Sequence, residues 1–117
     1  MDLNRPADQL LMRLLDAASL RHKVIANNVA NANTPGFVRD SVKFEHELSE
    51  AMRRGKSSFE LEPVVTKDET TPVGFDGNNV TLEVEMNSLN ENRILFEMYS
   101  SILASKTEML RASIETR

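Results

Sequence analysis

Residues 80–117 read VTLEVEMNSLNENRILFEMYSSILASKTEMLRASIETR, with no glycine or proline anywhere in the run. Leu89, Phe96, Leu103 and Leu110 recur every seven residues, and Leu95, Ile102 and Met109 form a second row beside them. That spacing is the period of an amphipathic helix. Val80, Leu82, Val84 and Met86 alternate, which alone would suit a strand. With no breaker after Thr81, the helix is expected to extend back to about Leu82, with Thr81 placed to cap it and Glu83 and Glu85 in its first turn. Ile94, Met98 and Tyr99 widen the apolar surface beyond one stripe, and a wide band implies more than one neighbour.

The other end of the chain answers this helix. Leu11, Leu15, Ala18, His22, Ile25, Val29 and Ala32 alternate at spacings of four and three, which predicts a helix from Pro6 to about Asn33 with one narrow apolar stripe. Arg13, Asp16, Arg21 and Lys23 fall off that stripe. Pro6 suits a first helical turn, Pro35 stops the helix, and Gly36 supplies a turn.

Between the two lies a different kind of sequence. A short helix is expected from Val42 to Arg54, with Phe44, Leu48, Ala51 and Met52 on one face and Gly55 as its stop. Residues 56–79 contain Pro63, Pro72, Gly74 and Gly77. They read as loop, with short extended pieces at Phe59–Leu61 and Val64–Thr66. Asp76-Gly77-Asn78-Asn79 is a turn signal. The fold class is therefore mainly α. Two long antiparallel terminal helices form a coiled-coil-like pair, with a short helix and irregular or short β segments in the middle. The chain divides at 1–34, 35–79 and 80–117. Leu11, Leu15, Ala18, Ile25 and Val29 are expected to face Leu89, Phe96, Leu103 and Leu110, within one subunit or across to a neighbour.

Composition narrows the function. The 117 residues carry 14 Lys and Arg against 18 Asp and Glu, a net charge of −4, with the two signs interspersed. A nucleic-acid partner calls for a basic face, so none is expected. There is no cysteine, and therefore neither a disulfide framework nor a thiolate metal site. No apolar run approaches the roughly 20 residues that span a bilayer, so direct membrane insertion is not expected. The first eleven residues lack the pattern of a cleaved secretory leader.

Catalysis finds no residues to carry it. His22, on the apolar stripe, reads as a packed, hydrogen-bonded side chain rather than a ligand. His46 lacks a second histidine at helical spacing. No Ser stands in a G-x-S-x-G setting. Glu83, Glu85 and Glu91 read as a solvated face. Neither a metal nor a cofactor is expected.

The exceptional local feature is Ala26-Asn27-Asn28-Val29-Ala30-Asn31-Ala32-Asn33-Thr34-Pro35-Gly36-Phe37. Asn27, Asn28, Asn31 and Asn33 fall within seven residues. Asn weakens a helix because its amide competes for backbone hydrogen bonds. Ordinary capping needs one Asn, so the cluster suggests close approach of another backbone and hydrogen bonds to it. From Asn27 to Phe37 the wording resembles the signature of bacterial flagellar rod, hook and hook-associated axial proteins, although Phe37 stands where Tyr is frequent. Asp76-Gly77-Asn78-Asn79-Val80, with Leu82–Met86 and Leu89–Asn92, resembles the segment that opens the C-terminal helix in the short rod proteins.

That resemblance implies a structural subunit of the proximal rod of the flagellar basal body, in which terminal helices pack into a tube around an export channel. It implies a periplasmic rod location, reached through the flagellar type III export apparatus without a cleaved leader. The implied partners are copies of the chain itself, other rod proteins of the FlgC and FlgF types, and a FliE-like adaptor and the MS ring at the rod base. The resemblance assigns Asn27, Asn28, Asn31, Asn33, Thr34, Pro35, Gly36 and Phe37 to subunit packing. A competing reading is a monomeric helical adaptor or chaperone that holds a partner helix in a groove.

Overall fold

The computed structural model describes residues 5–57 and 60–115. Its elements run α1 (Pro6–Ala30), β1 (Asp40–Lys43), α2 (Glu45–Arg53), β2 (Val64–Lys67) and α3 (Leu82–Glu115). The mainly helical fold, with two long terminal helices packed together, is the expected one. The body is about 66 Å long, 29 Å wide and only 14 Å thick. Nothing that thin can enclose a helix on all sides.

α1 starts as its sequence dictates, with Pro6 in the first turn and Asp8 near the positive end of the helix dipole. It stops at Ala30, about three residues short of the expected end. Asn31 is the reason. Its backbone leaves the helical region at φ −104°, ψ 17°. Its side-chain amide donates to the Asn27 carbonyl at 2.9 Å. The chain then tightens into turns, with Ala32 N–H on the Val29 carbonyl and Thr34 N–H on the Asn31 carbonyl.

The short helix is also trimmed. Val42, expected to open it, lies in β1, and α2 begins at Glu45 after Phe44 turns the chain at φ −150°, ψ −52°. Gly55 ends it as expected, at φ +77°. Gly55 N–H reaches the Met52 carbonyl and Lys56 N–H the Ala51 carbonyl, the paired bonds of a Schellman stop. β1 pairs antiparallel with β2, from Asp40 opposite Lys67 to Lys43 opposite Val64. The expected extended piece at Val64–Thr66 is therefore a strand. Of the piece at Phe59–Leu61, Phe59 lies outside the described residues and Leu61 has irregular backbone. α3 opens with Glu85 N–H on the Thr81 carbonyl, so the strand alternative for residues 80–86 falls away.

The single-stripe reading of α1 was too narrow. Buried pairs recur every seven residues, Ala17 with Ala18 and Val24 with Ile25. Ala17 packs toward the middle segment, and the Ala18 backbone meets Asn92 of α3. Ala17, Leu10 and Leu14 pack with Phe44, Leu48 and Leu61, and this cluster is the apolar core. It lies between α1 and the middle segment, not between the two long helices.

Candidate functional site

The seam between α1 and α3 is polar at its deepest points. Glu85 and Asn92 are the buried residues of α3, at 0% and 2% exposure. Asn92 Nδ2 donates to the Ala18 carbonyl at 2.7 Å. That approach needs a residue as small as Ala18. Arg21 reaches Asn92 with one nitrogen at 3.4 Å and grips both Glu45 oxygens with another, at 2.6 and 2.7 Å. It ties α1 to both α2 and α3, so it is not the off-stripe surface residue its position suggested. Lys106 near the far end pairs with Asp8, itself 3% exposed, at 2.9 Å.

Glu83 and Glu91 are exposed as expected of a solvated acidic face, but Glu85 is buried. Its Oε1 accepts from Arg39 Nε at 2.5 Å and its Oε2 from Asn28 Nδ2 at 3.3 Å. Arg39 also holds Asp68 at 2.7 Å. Burial works against the Arg39 charge, but Glu85 and Asp68 outweigh it, and the guanidinium pKa is raised. Asp68 lies well below the usual carboxylate range. The Thr70 hydroxyl is the largest cause, followed by the Thr71 hydroxyl and Arg39. A buried charge so fully bonded is stable, whereas one left unpaired is costly.

Asn28 is completely buried and acts as a side-chain rung of the sheet. Its Nδ2 donates to the Asp40 carbonyl and its Oδ1 accepts the Asp40 N–H, both at 2.9 Å. The asparagine cluster thus does bond another backbone, and that backbone is the chain's own β1. Asn31 works locally, on Asn27 and on the Thr34 hydroxyl at 3.1 Å. Asn27 and Asn33 are exposed, as are Thr34, Pro35 and Gly36. Phe37 is half-buried, with Lys67 Nζ 4.9 Å from its ring centre.

The two motifs that stand forty residues apart in the sequence meet here. Asn78 Nδ2 donates to the carbonyls of Asn31, Ala32 and Thr34, at 2.8, 3.2 and 2.9 Å. These carbonyls belong to the turn that follows α1, so Asn78 fastens that turn against the start of α3. Gly36 N–H donates to the Asp76 carbonyl at 2.7 Å. Asn79 Oδ1 accepts the Arg39 N–H at 2.7 Å, and its amide donates to the Asp68 and Thr71 carbonyls. Asn78 and Asn79 are 7% and 4% exposed. One latch holds the end of α1, the start of α3 and the root of β1 together. Its groups are hydrogen-bond donors and acceptors turned on one another. Its chemistry is positional: it fixes the angle at which the two long helices leave the turn.

Of the residues predicted to line the helix pair, Leu11, Ala18 and Ile25 are buried, and Leu15, Val29, Leu89 and Leu103 are half-buried. Phe96 and Leu110 remain 42% and 40% exposed. His22 is exposed and not packed. The residues that the sequence reading missed are Arg39, Asp68, Glu85, Asn92 and Lys106. A signal existed for three of them. Glu85, Asn92 and Lys106 sit seven and fourteen residues apart, the same repeat as the leucine row. Their polarity hides them from an apolar pattern.

A family model for flagella basal body rod proteins matches residues 11–37, which is α1 from Leu11 through the asparagine-rich turn. The flagellar basal body rod protein FlgB of Borrelia hermsii is 31% identical, over 89% of this chain and 92% of its own length. The chain belongs to the FlgB family of flagellar basal body rod proteins. The FlgB of Aquifex aeolicus is 29% identical over 100% of this chain and 98% of its own, and that of Escherichia coli is 25% identical over 79% and 80%. Family membership makes the chain a structural component of the basal body rod, assembled with other rod components. Among the described residues, no helix is long and apolar enough to cross a membrane. In FlgB terms, the family-wide model covers one half of the latch, and the Asp76–Asn79 half lies beyond it.

Proposed function

We propose that this chain is a proximal-rod subunit whose terminal helices pack with those of neighbouring axial subunits to form a tube around an export channel. Its role is mechanical and not catalytic. The observation that carries this reading is the uncovered apolar face of α3. Val84, Ile94, Met98, Ile102 and Met109 share one side of the helix at 3.6 residues per turn, and all are 41% exposed or more. Large contiguous apolar surface on a water-facing helix marks an interaction site. Neighbours that supply the missing cover include copies of the chain, rod proteins of the FlgC and FlgF types, and a FliE-like adaptor with the MS ring at the base. The flagellar type III export apparatus delivers it to the periplasm. Contacts between unlike patches do not close on themselves, and so they build helical tubes.

Ile94→Glu and Met98→Glu test this reading. Exposed substitutions should shift the stability of the free chain by no more than about 0.5 kcal/mol. Both variants should nonetheless be lost from basal bodies isolated from a bacterium that depends on this chain for its rod. Normal incorporation of both would count against the proposal.

A further inference from the structure

Phe75 is more exposed than a free reference residue, at 116%, and Val73 beside it is 55% exposed. An aromatic ring in that position is costly in water, and it is not on a slack loop. Gly77 N–H closes a turn onto the Gly74 carbonyl at 3.0 Å, and Gly74 N–H returns to the Asn78 carbonyl at 2.9 Å. Asp76 Oδ1 accepts the Asn78 N–H at 3.1 Å. Asn78 in turn is bound to the end of α1. Phe75 is therefore a rigid knob at the tip of the latch, with the exposed Asp76 carboxylate next to it.

The same chain carries a matching hollow. A groove of about 280 Å³ opens between α1 and α3, with Ala18, Ser19 and His22 on one wall and Phe96 on the other. Lys23 and Arg93 stand at its rim. Arg93 shares its charge with Glu97 at 3.1 Å, on the open surface. The groove is apolar and basic-rimmed, and the knob is apolar with an acid beside it. An aromatic ring entering the groove would meet the Phe96 ring, a favourable pairing for two such quadrupoles.

We infer that Phe75 of one subunit docks in the Ala18–His22/Phe96 groove of a second copy of this chain, with Asp76 facing Lys23. The inference rests on the reading that copies of the chain stand side by side in the rod. Knob and groove occupy different places on the molecule, so the contact is head-to-tail. The groove lies about twelve residues along α1 from the latch, which is roughly 18 Å at 1.5 Å per residue. Each contact therefore displaces the next copy along the helix axis by a fixed step. A preformed knob loses little freedom on docking, and buried aromatic anchors dominate interfaces of this type.

The chain has no cysteine, so introduced thiols are unique reporters. Val73→Cys and Ser19→Cys are placed together in one chain, and basal bodies built with it are treated with a short bismaleimide. Crosslinked dimers and higher multiples of this chain are expected on a denaturing gel. Adding Phe75→Ala should cut that crosslinked fraction roughly tenfold, the loss expected for a truncated aromatic anchor, without altering the helical circular dichroism of the free chain. If the chain is present in the basal bodies but gives no self-crosslink, or crosslinks only to another protein, the inference is overturned and the proximal-rod reading stands. The inference likewise fails if crosslinking is undiminished by Phe75→Ala. Absence of the doubly substituted chain, while the parent chain is also absent, overturns both.

Discussion

Gly77 stands against Gly36 so closely that a Cβ on Gly77 would lie 3.3 Å from the Gly36 Cα. Both residues have positive φ, +77° and +76°. The turn after α1 and the turn before α3 touch backbone to backbone at these two positions, and the asparagine latch is built around that contact.

Gly77→Ala should therefore destabilise the fold twice over. The left-handed backbone costs about 1–2 kcal/mol for a residue with a Cβ, and the Gly36 backbone must also move. Gly55→Ala separates the two effects. Gly55 has the same φ of +77°, but open space where its Cβ would go. Urea unfolding should show the larger loss at Gly77. Equal losses would mean that the glycine contact is slack.

Glu85→Leu removes one partner of a buried pair and leaves Arg39 and Asn28 facing an apolar side chain. A loss toward the lower end of the range for broken buried pairs, about 3 kcal/mol, is expected, because Arg39 keeps Asp68. Glu83→Leu, two residues earlier on the exposed side of the helix, should change stability by no more than about 0.5 kcal/mol. Chemical denaturation of the two variants side by side reads out the difference, and similar losses would contradict the buried network.

Much of this architecture was legible in the sequence, because long uninterrupted periodicity is the most dependable local signal. Pro6, Gly55 and the run after Thr81 placed the helix ends to within a few residues. Both motifs of the latch were visible as unusual wording. Their meeting was not, since nothing local to Asn31–Thr34 says that Asn78 will take its carbonyls. The polar seam was hidden for a different reason. Apolar patterning weights Leu89 and Phe96 and discounts Glu85 and Asn92, yet the partners that make a buried Glu tolerable, Arg39 and Asn28, lie in other elements. Leu10, Leu14 and Ala17 fall outside the single stripe, because the residues they pack against, Phe44 and Leu48, lie in a separate short helix.

Acid should weaken the fold through Asp68. Its carboxyl titrates lower in the folded chain than in the unfolded one, where 3.8 is the ordinary value. A depressed carboxylate contributes stability that is fully present above the unfolded pKa and is lost as pH falls toward the folded one. Asp68→Asn should thus be less stable than the parent at pH 7, and the gap should narrow once the pH drops below about 4. Urea midpoints measured from pH 7 to pH 2 check this. A gap that stays constant over that range would show that ionisation of Asp68 is irrelevant.

Asn28→Ala should cost more than Asn33→Ala. The first strands the Asp40 N–H and carbonyl in a part-buried setting, at up to about 1–3 kcal/mol for each unsatisfied group. The second touches an exposed residue. Thermal unfolding should rank the pair, and backbone hydrogen exchange at Asp40 should accelerate in Asn28→Ala alone. Protection of that amide in the variant would mean that the rung is dispensable.

The polar seam has one more consequence. Asp8 with Lys106, the Ala18 carbonyl with Asn92, and Asn28 with Glu85 are spread along α1 over about 30 Å at 1.5 Å per residue. A seam made only of leucines can slide by a helical turn of about 5.4 Å and find similar contacts again. This one cannot, because a single turn of slip separates all three bonds together and strands the Glu85 charge away from water. The helix pair is keyed in the manner of a splined coupling. Shear along the length of the two helices is the deformation that this seam resists.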